Sequence, residues 1–428
     1  MPRTSTKQPL GQSSAKLSAT LSLLLILQAG LLLTACQLGK DHGEHTVALI
    51  EGSSATKAQL DIQAALDISD PGASVFVTGA LIGLDTSIKL NIPTEVRLVW
   101  QATCDFTSSP AHLQLSGSGL FELSETGSIH SKGIAIQVPP TANGLGLAIN
   151  GGNIQGHGAY TIWVLGKSCQ VSLNGGTVSS ERDLSYVINC ENSDFSMSGG
   201  LVIAKANNCV AVHVGKGRVQ LTGGQIESVG TNTIALFVEN GSFLISDGTV
   251  VADGPDSVAV TVKSSPTVIR GGALTTLQTG STALFNSQSA VLLTGGTVTV
   301  QASQSVALGI DNGGSIAVRG GRIEAKAAQS RGIKITDTGI VAYLAGTILG
   351  ELGVVDAQYT AILEIDSLTI NASRHGTAEG IQVKQSRFVS GEASFTWDTS
   401  GASPKLSVRY PISNGSGSYQ LLLEWGEP

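Results

Sequence analysis

His157, Glu181 and Lys205 follow one another at a spacing of 24 residues, and Tyr160, Trp163, Arg182 and Asp183 stand close by in the sequence. A carboxylate held near an imidazole and an ammonium is the equipment of a general base. One expectation is therefore a small glycan groove, with His157, Glu181, Asp183 and Lys205 as its catalytic candidates and Tyr160, Trp163 and Arg182 as its ligand contacts. The plainer expectation is a solvated ladder of alternating charge on a turn, worth about a few tenths of a kcal/mol. No CxxC pair and no His/Cys metal spacing occurs, so neither a metal nor another cofactor is expected.

The interval of 24 is a property of the whole central sequence. Gly151-Gly152, Gly175-Gly176, Gly199-Gly200, Gly223-Gly224, Gly271-Gly272 and Gly295-Gly296 share one grid, Asp247-Gly248 fills the remaining slot, and the grid slips by one residue to Gly320-Gly321 and again to Ala345-Gly346. A fixed period of this length marks a solenoid or an array. The fourth position of successive units is Ile154, Val178, Val202, Ile226, Val250, Leu274, Val298, Ile323 and Ile348, always a branched aliphatic. A second column runs Val164, Ile188, Val212, Leu236, Val260, Leu284, Leu308 and Ile333, and a third runs Leu173, Met197, Leu221, Ile245, Ile269 and Leu293.

Between the columns the residues alternate: Ile234, Leu236 and Val238 are expected to point one way, Ala235 and Phe237 the other. Period two means strands. Three short strands per 24 residues, with no helix between them, fit a chain that stacks each strand in parallel on its copy in the next coil, about 4.8 Å away. The fold class expected is all-β, a right-handed parallel β-helix whose Gly-Gly pairs are corners needing a backbone that excludes Cβ. A second turn carries Ser168, Asn192, Lys216, Asn240, Ser264, Gln288, Asn312 and Asp337 in register, a set that suits left-handed residues.

Composition agrees. Of 428 residues, 53 are glycine, 4% are aromatic and 13% are charged, against a usual charged share of about 25%. Arg3, Lys7 and Lys16 precede the apolar run "LSATLSLLLILQAGLLLTA", which ends in "LLTAC" at Cys36. This order of segments is that of a secretory leader. "LLTAC" resembles the lipobox of bacterial lipoproteins. The resemblance implies that residues 1–36 are removed up to the cysteine, that Cys36 carries the lipid, and that Gln37, in place of Asp, permits export to the outer membrane. Residues 37–55 then form a tether, and the membrane is a partner through the lipid. Two or three acyl chains make a durable anchor, at roughly 0.8 kcal/mol per buried CH₂.

Without the leader the chain has 22 Lys and Arg against 32 Asp and Glu, a net charge of about minus ten. Nucleic acid is excluded as a partner by the lack of clustered cations; a polysaccharide or an envelope protein is not. Cys104, Cys169, Cys190 and Cys209 lie in an exported chain where disulfides are permitted. Cys190 takes a place that other units give to Val or Ile, so it suits a buried apolar role, while a Cys169–Cys190 bridge between adjacent coils remains open.

Both ends of the solenoid need covers, because an open sheet edge templates further strands. "ATKAQLDIQAALDISDPGASVFVTG" reads as a helix over Thr56–Ile68, a stop at Asp70-Pro71-Gly72, and a strand over Val75–Thr78. With "IQAAL…PGASVFVTG", this segment resembles the entry to the parallel β-helix proteins of the pectin-lyase-like superfamily. Residues 56–150 are then the N-terminal cap and irregular early coils, 151–368 the regular coils, and 369–428 a C-terminal β cap in which Trp397 and Trp425 seal the last coil.

The resemblance implies, for the enzymes of that superfamily, a cluster of Asp residues and an Arg or Lys on one outward sheet, acting on polyuronates or other acidic glycans. Here only Glu227 and Glu324 stand out on that surface, four coils apart. Catalytic β-helices also hold substrate between long, unequal loops, whereas each unit from Gly151 to Arg319 closes in 24 or 25 residues. An ice-binding threonine array is interrupted at Leu201, Gln225 and Ala273. The function expected is that of a lipid-anchored structural, adhesin-like or glycan-binding module, with a polysaccharide lyase or glycoside hydrolase as the alternative.

Overall fold

The computed structural model describes residues 45–49 and 53–336, and beyond them the strands Gly339–Gly350, Gly353–Ala357, Ala361–Ile365, Ile381–Val383, Ser394–Asp398, Lys405–Asn414 and Gly417–Gly426. Cys36 and its leader lie outside the described residues, as do the side chains of Trp397 and Trp425.

The chain is a parallel β-solenoid of about eleven coils. Each coil contributes to three sheets, here named A, B and C. In sheet A the segment Asn153–Gly156 pairs with Thr177–Ser180, and that with Leu201–Ala204, each aliphatic of the first column lying on its copy, Ile154 on Val178 on Val202. In sheet B, Val210–Val214 pairs with Ile234–Glu239 and that with Val258–Lys263, so Val212, Leu236 and Val260 stack. In sheet C, Leu173, Met197, Leu221 and Ile245 stack in the same manner. All of these side chains are buried, so the core is a set of aliphatic ladders running along the solenoid.

The early coils obey the same plan with less even spacing. Val75 lies against Leu98, Leu98 against Phe121 and Phe121 against Leu147, all in sheet C. The first cover is helix α1, Ala55–Asp67. Ser54 caps it by accepting from the Lys57 N–H at 3.2 Å, as N-cap serines do, and Ala55, Ala58, Ile62 and Leu66 form its buried stripe. The strand that follows runs over Ser74–Leu84, well past Thr78, because it serves sheet C with its first half and sheet A with its second. At the far end Ser394–Asp398, Lys405–Asn414 and Gly417–Gly426 pair antiparallel.

Two expectations for the strands need correction, and the question left open for the cysteines is answered. Strict alternation fails in sheet B: Ala235 and Leu236 are both buried, while Ile234 and Phe237 are both half-exposed. The pairing between coils skips residue 235, two successive side chains enter the core, and the small Ala235 repeats as Ala211, Ala259, Ala283 and Ala307. The second column is also shifted at its start, for Ile162 lies on Ile188 and Val164 on Cys190. Finally, Cys104, Cys169, Cys190 and Cys209 are all free and buried. No Cys169–Cys190 bridge forms; Cys190 fills its place between Val164 and Val214 as an apolar residue.

The corners contain more left-handed residues than the second turn column suggests. Ser168, Asn240, Ser264, Gln288 and Asn312 have positive φ, but Asn192 and Lys216 do not, and Asp337 lies outside the described residues. A further column does so without a gap: Leu184, Asn208, Asn232, Asp256, Gly280, Gln304 and Gln329. One residue on from it runs a row of small side chains that includes Ser257, Ser281, Ser305 and Ser330, all buried. The Ser257 N–H donates to Ser281 Oγ at 3.1 Å, the Ser281 N–H to Ser305 Oγ at 3.2 Å, and the Ser305 N–H to Ser330 Oγ at 3.2 Å. These hydroxyls satisfy backbone donors that the corner withdraws from the sheets.

Candidate functional site

The turn between sheets A and B brings His157, Glu181 and Lys205 onto adjacent coils, all exposed. Lys205 Nζ donates to Glu181 Oε1 at 2.9 Å, with the two side chains 44% and 47% exposed. Arg182 Nη1 donates to the His157 carbonyl at 3.4 Å, and Asp183 Oδ1 accepts from the Asn207 N–H at 2.9 Å. The charges therefore tie one coil to the next. The hydrogen bond and charge of Lys205, with a smaller contribution from His157, hold the Glu181 carboxyl below its ordinary range. A general base working near neutrality needs the opposite shift. Among the described residues no three His, Cys, Asp or Glu side chains come together as metal ligands.

Tyr160 and Trp163 take part in a larger structure. Their rings lie stacked, 4.5 Å apart and 7° from parallel. Tyr160 also stacks on Tyr186 of the next coil at 5.6 Å, Tyr186 meets His213 at 5.6 Å, and His213 meets Phe237 at 5.0 Å. Five rings thus form one half-exposed run on the outer surface of sheet B, across four coils. Trp163 faces solvent only in part, and its Nε1 is buried without a partner. Burial first, then the neighbouring Tyr186 and Glu191, raise the Tyr160 hydroxyl above its ordinary range, so it stays protonated.

Tyr186, His213 and Phe237 do not share a position in the 24-residue unit with both Tyr160 and Trp163. The signal that would have found them is one of register: Trp163, Asn189, His213 and Phe237 lie on one another in a single outward row, the last three at the 24-residue interval, and Tyr160 lies on Tyr186 in the row beside it.

The imidazole at the centre of this run is held by a relay. Asn189 Nδ2 donates to Glu191 Oε1 at 2.9 Å, and Asn189 Oδ1 lies 2.5 Å from His213 Nδ1. A carboxylate only accepts, so the amide nitrogen must face Glu191 and the amide oxygen His213. Nδ1 then carries the proton, and Nε2 is a bare lone pair. Burial lowers the proton affinity of His213, against the pull of Glu191 and Glu239, which keeps the ring neutral.

Elsewhere, a shallow groove of about 370 Å³ is lined by Glu95, Val96, Arg97, Ser118 and Leu120, with three glycines. Arg97, its cation, is paired with Glu122 at 3.3 Å. No helix among the described residues is long and apolar enough to cross a membrane. Comparison with family models, curated proteins and solved structures found no match to this chain.

Proposed function

We propose that this protein is a lipid-anchored module of the cell envelope, held at the outer membrane through Cys36, which displays a non-enzymatic, glycan-binding solenoid. The observation that carries the binding role is the run of stacked rings from Trp163 to Phe237 on the outer surface of sheet B. Aromatic surface left half-exposed in a chain only 4% aromatic is a concentrated resource, and binding is its commonest use.

Against catalysis stand the ion-paired, solvated Glu181 and the coils from Gly151 to Arg319, each of which closes in 24 or 25 residues. The resemblance to pectin-lyase-like proteins supports at most an architecture, since one fold carries many activities. The test is to incubate the full-length protein with polygalacturonate, alginate and neutral glucans, following unsaturated products, new reducing ends and retention of protein on the insoluble polymer. Retention without products is expected. Unsaturated or reducing-end products abolished by Glu181→Gln would replace this function with that of a lyase or hydrolase.

A further inference from the structure

We propose that the outer face of sheet B between Tyr160 and Phe237 binds an uncharged polysaccharide, with His213 Nε2 accepting a hydrogen bond from a sugar hydroxyl. This inference rests on the glycan-binding function proposed above and names its ligand class.

The argument begins with the lone pair. The relay from Glu191 through Asn189 fixes the Nδ1–H tautomer, and the rings of Tyr186 and Phe237, at 5.6 and 5.0 Å, fix the imidazole plane. Nε2 has no hydrogen-bond partner among the described residues and is not among the polar atoms sealed from solvent. An oriented acceptor with no partner is suited to a hydroxyl or other neutral donor. Orienting one ring nitrogen through the other is the usual way a histidine is prepared for a ligand.

Charge then selects among glycans. The groups around the imidazole are the carboxylates of Glu191 and Glu239, the phenols of Tyr160 and Tyr186, and Lys263, which donates to Glu239 at 2.7 Å. Among the described residues, Glu191 is hydrogen-bonded only by the amide of Asn189. A uronate or sulfated chain laid along this face would bring its anions against Glu191, whose nearest basic residues in register, Lys167 and Lys216, lie beyond the rings at the turn. An uncharged chain meets no such cost: its hydroxyls find acceptors, and its C–H surfaces lie against aromatic rings. The rings span four coils, roughly 15 Å at ~4.8 Å per step, the length of a short oligosaccharide.

The experiment is calorimetric titration of the full-length protein with cellohexaose, maltohexaose, mannohexaose and hexagalacturonate at pH 8. At least one neutral hexasaccharide is expected to bind, and hexagalacturonate about tenfold more weakly or not at all. His213→Phe keeps an aromatic ring in the stack but removes the acceptor, so with an unchanged circular dichroism spectrum its affinity should fall about tenfold, the loss of one good hydrogen bond. His213→Gln retains an acceptor: its binding should survive and should not weaken on acidification, as wild-type binding should once the pH falls far enough to protonate the imidazole, whose proton affinity burial lowers. A neutral ligand bound equally by wild type and His213→Phe, or a pH dependence unchanged in His213→Gln, overturns the site while leaving glycan binding in place. Equal or tighter binding of hexagalacturonate overturns the ligand class. If no glycan binds at all, the inference and the function on which it rests fall together.

Discussion

At His213, burial lowers the affinity of the folded protein for a proton. The unfolded chain, with an ordinary histidine near 6.5, takes up that proton first as the pH falls. Stability is therefore fully present above about pH 6.5 and is lost as the pH falls through the lower folded value. Urea midpoints between pH 8 and pH 5 should decline in wild type and decline less in His213→Gln; identical profiles would show that the imidazole is not held as described. The thiols give a second test. Burial, the largest cause, pushes Cys104 and Cys190 far above an ordinary thiol, so iodoacetamide should label neither until the protein is unfolded, and dithiothreitol should leave the melting temperature unchanged. A reductant-induced drop of several degrees would restore the Cys169–Cys190 bridge. The polar column of His157, Glu181 and Lys205 was legible because its members repeat at the coil spacing. The His213 relay keeps the coil spacing as well, since Asn189 lies 24 residues before His213 and Glu191 two residues after Asn189, but it sits in an outward row whose neighbouring members are Trp163 and Phe237, so residue type did not mark it as a polar column.

Among the structural elements, the glycine corners were the plainest sequence signal. Gly296 shows why: its φ is 75°, and a Cβ there would meet the Gly271 carbonyl oxygen at 2.6 Å. Gly296→Ala should lower stability by roughly 1–3 kcal/mol from the strained backbone alone, measured by chemical denaturation; a loss within error would mean that the corner has another conformation. The serine row was harder to read, since serine in a turn suggests solvent rather than burial. In Ser281→Ala the Ser257 N–H loses its acceptor and the Gly254 carbonyl loses a donor at 3.1 Å. The expected cost is about 1–3 kcal/mol for buried groups left unpaired. An unchanged midpoint would show that water replaces the hydroxyl. Where one coil lengthens to 25 residues, Asn312 and Gly313 both take positive φ, and Asn286, buried where neighbouring coils have Val262 and Ile310, donates to the Ser315 carbonyl at 2.9 Å. The slip of the glycine grid announced that insertion, but the asparagine that accommodates it carries no sign in the local sequence.

For the whole molecule, a period of 24 with three aliphatic columns was enough to give the solenoid and its three sheets, because every coil solves the same packing problem. The proposed envelope anchor rests on sequence chemistry alone, on the apolar run and "LLTAC" that resemble a lipoprotein leader. On that proposal the thiol of Cys36 carries the diacylglycerol, so anchoring and processing stand or fall with a single sulfur. Metabolic labelling with a palmitate analogue, followed by membrane fractionation of wild type and Cys36→Ser, is the direct measurement. Wild type should be labelled and membrane-bound, while Cys36→Ser should be unlabelled and either soluble or retained as an uncleaved precursor. Equal labelling and equal membrane retention of the mature forms would contradict the lipid anchor.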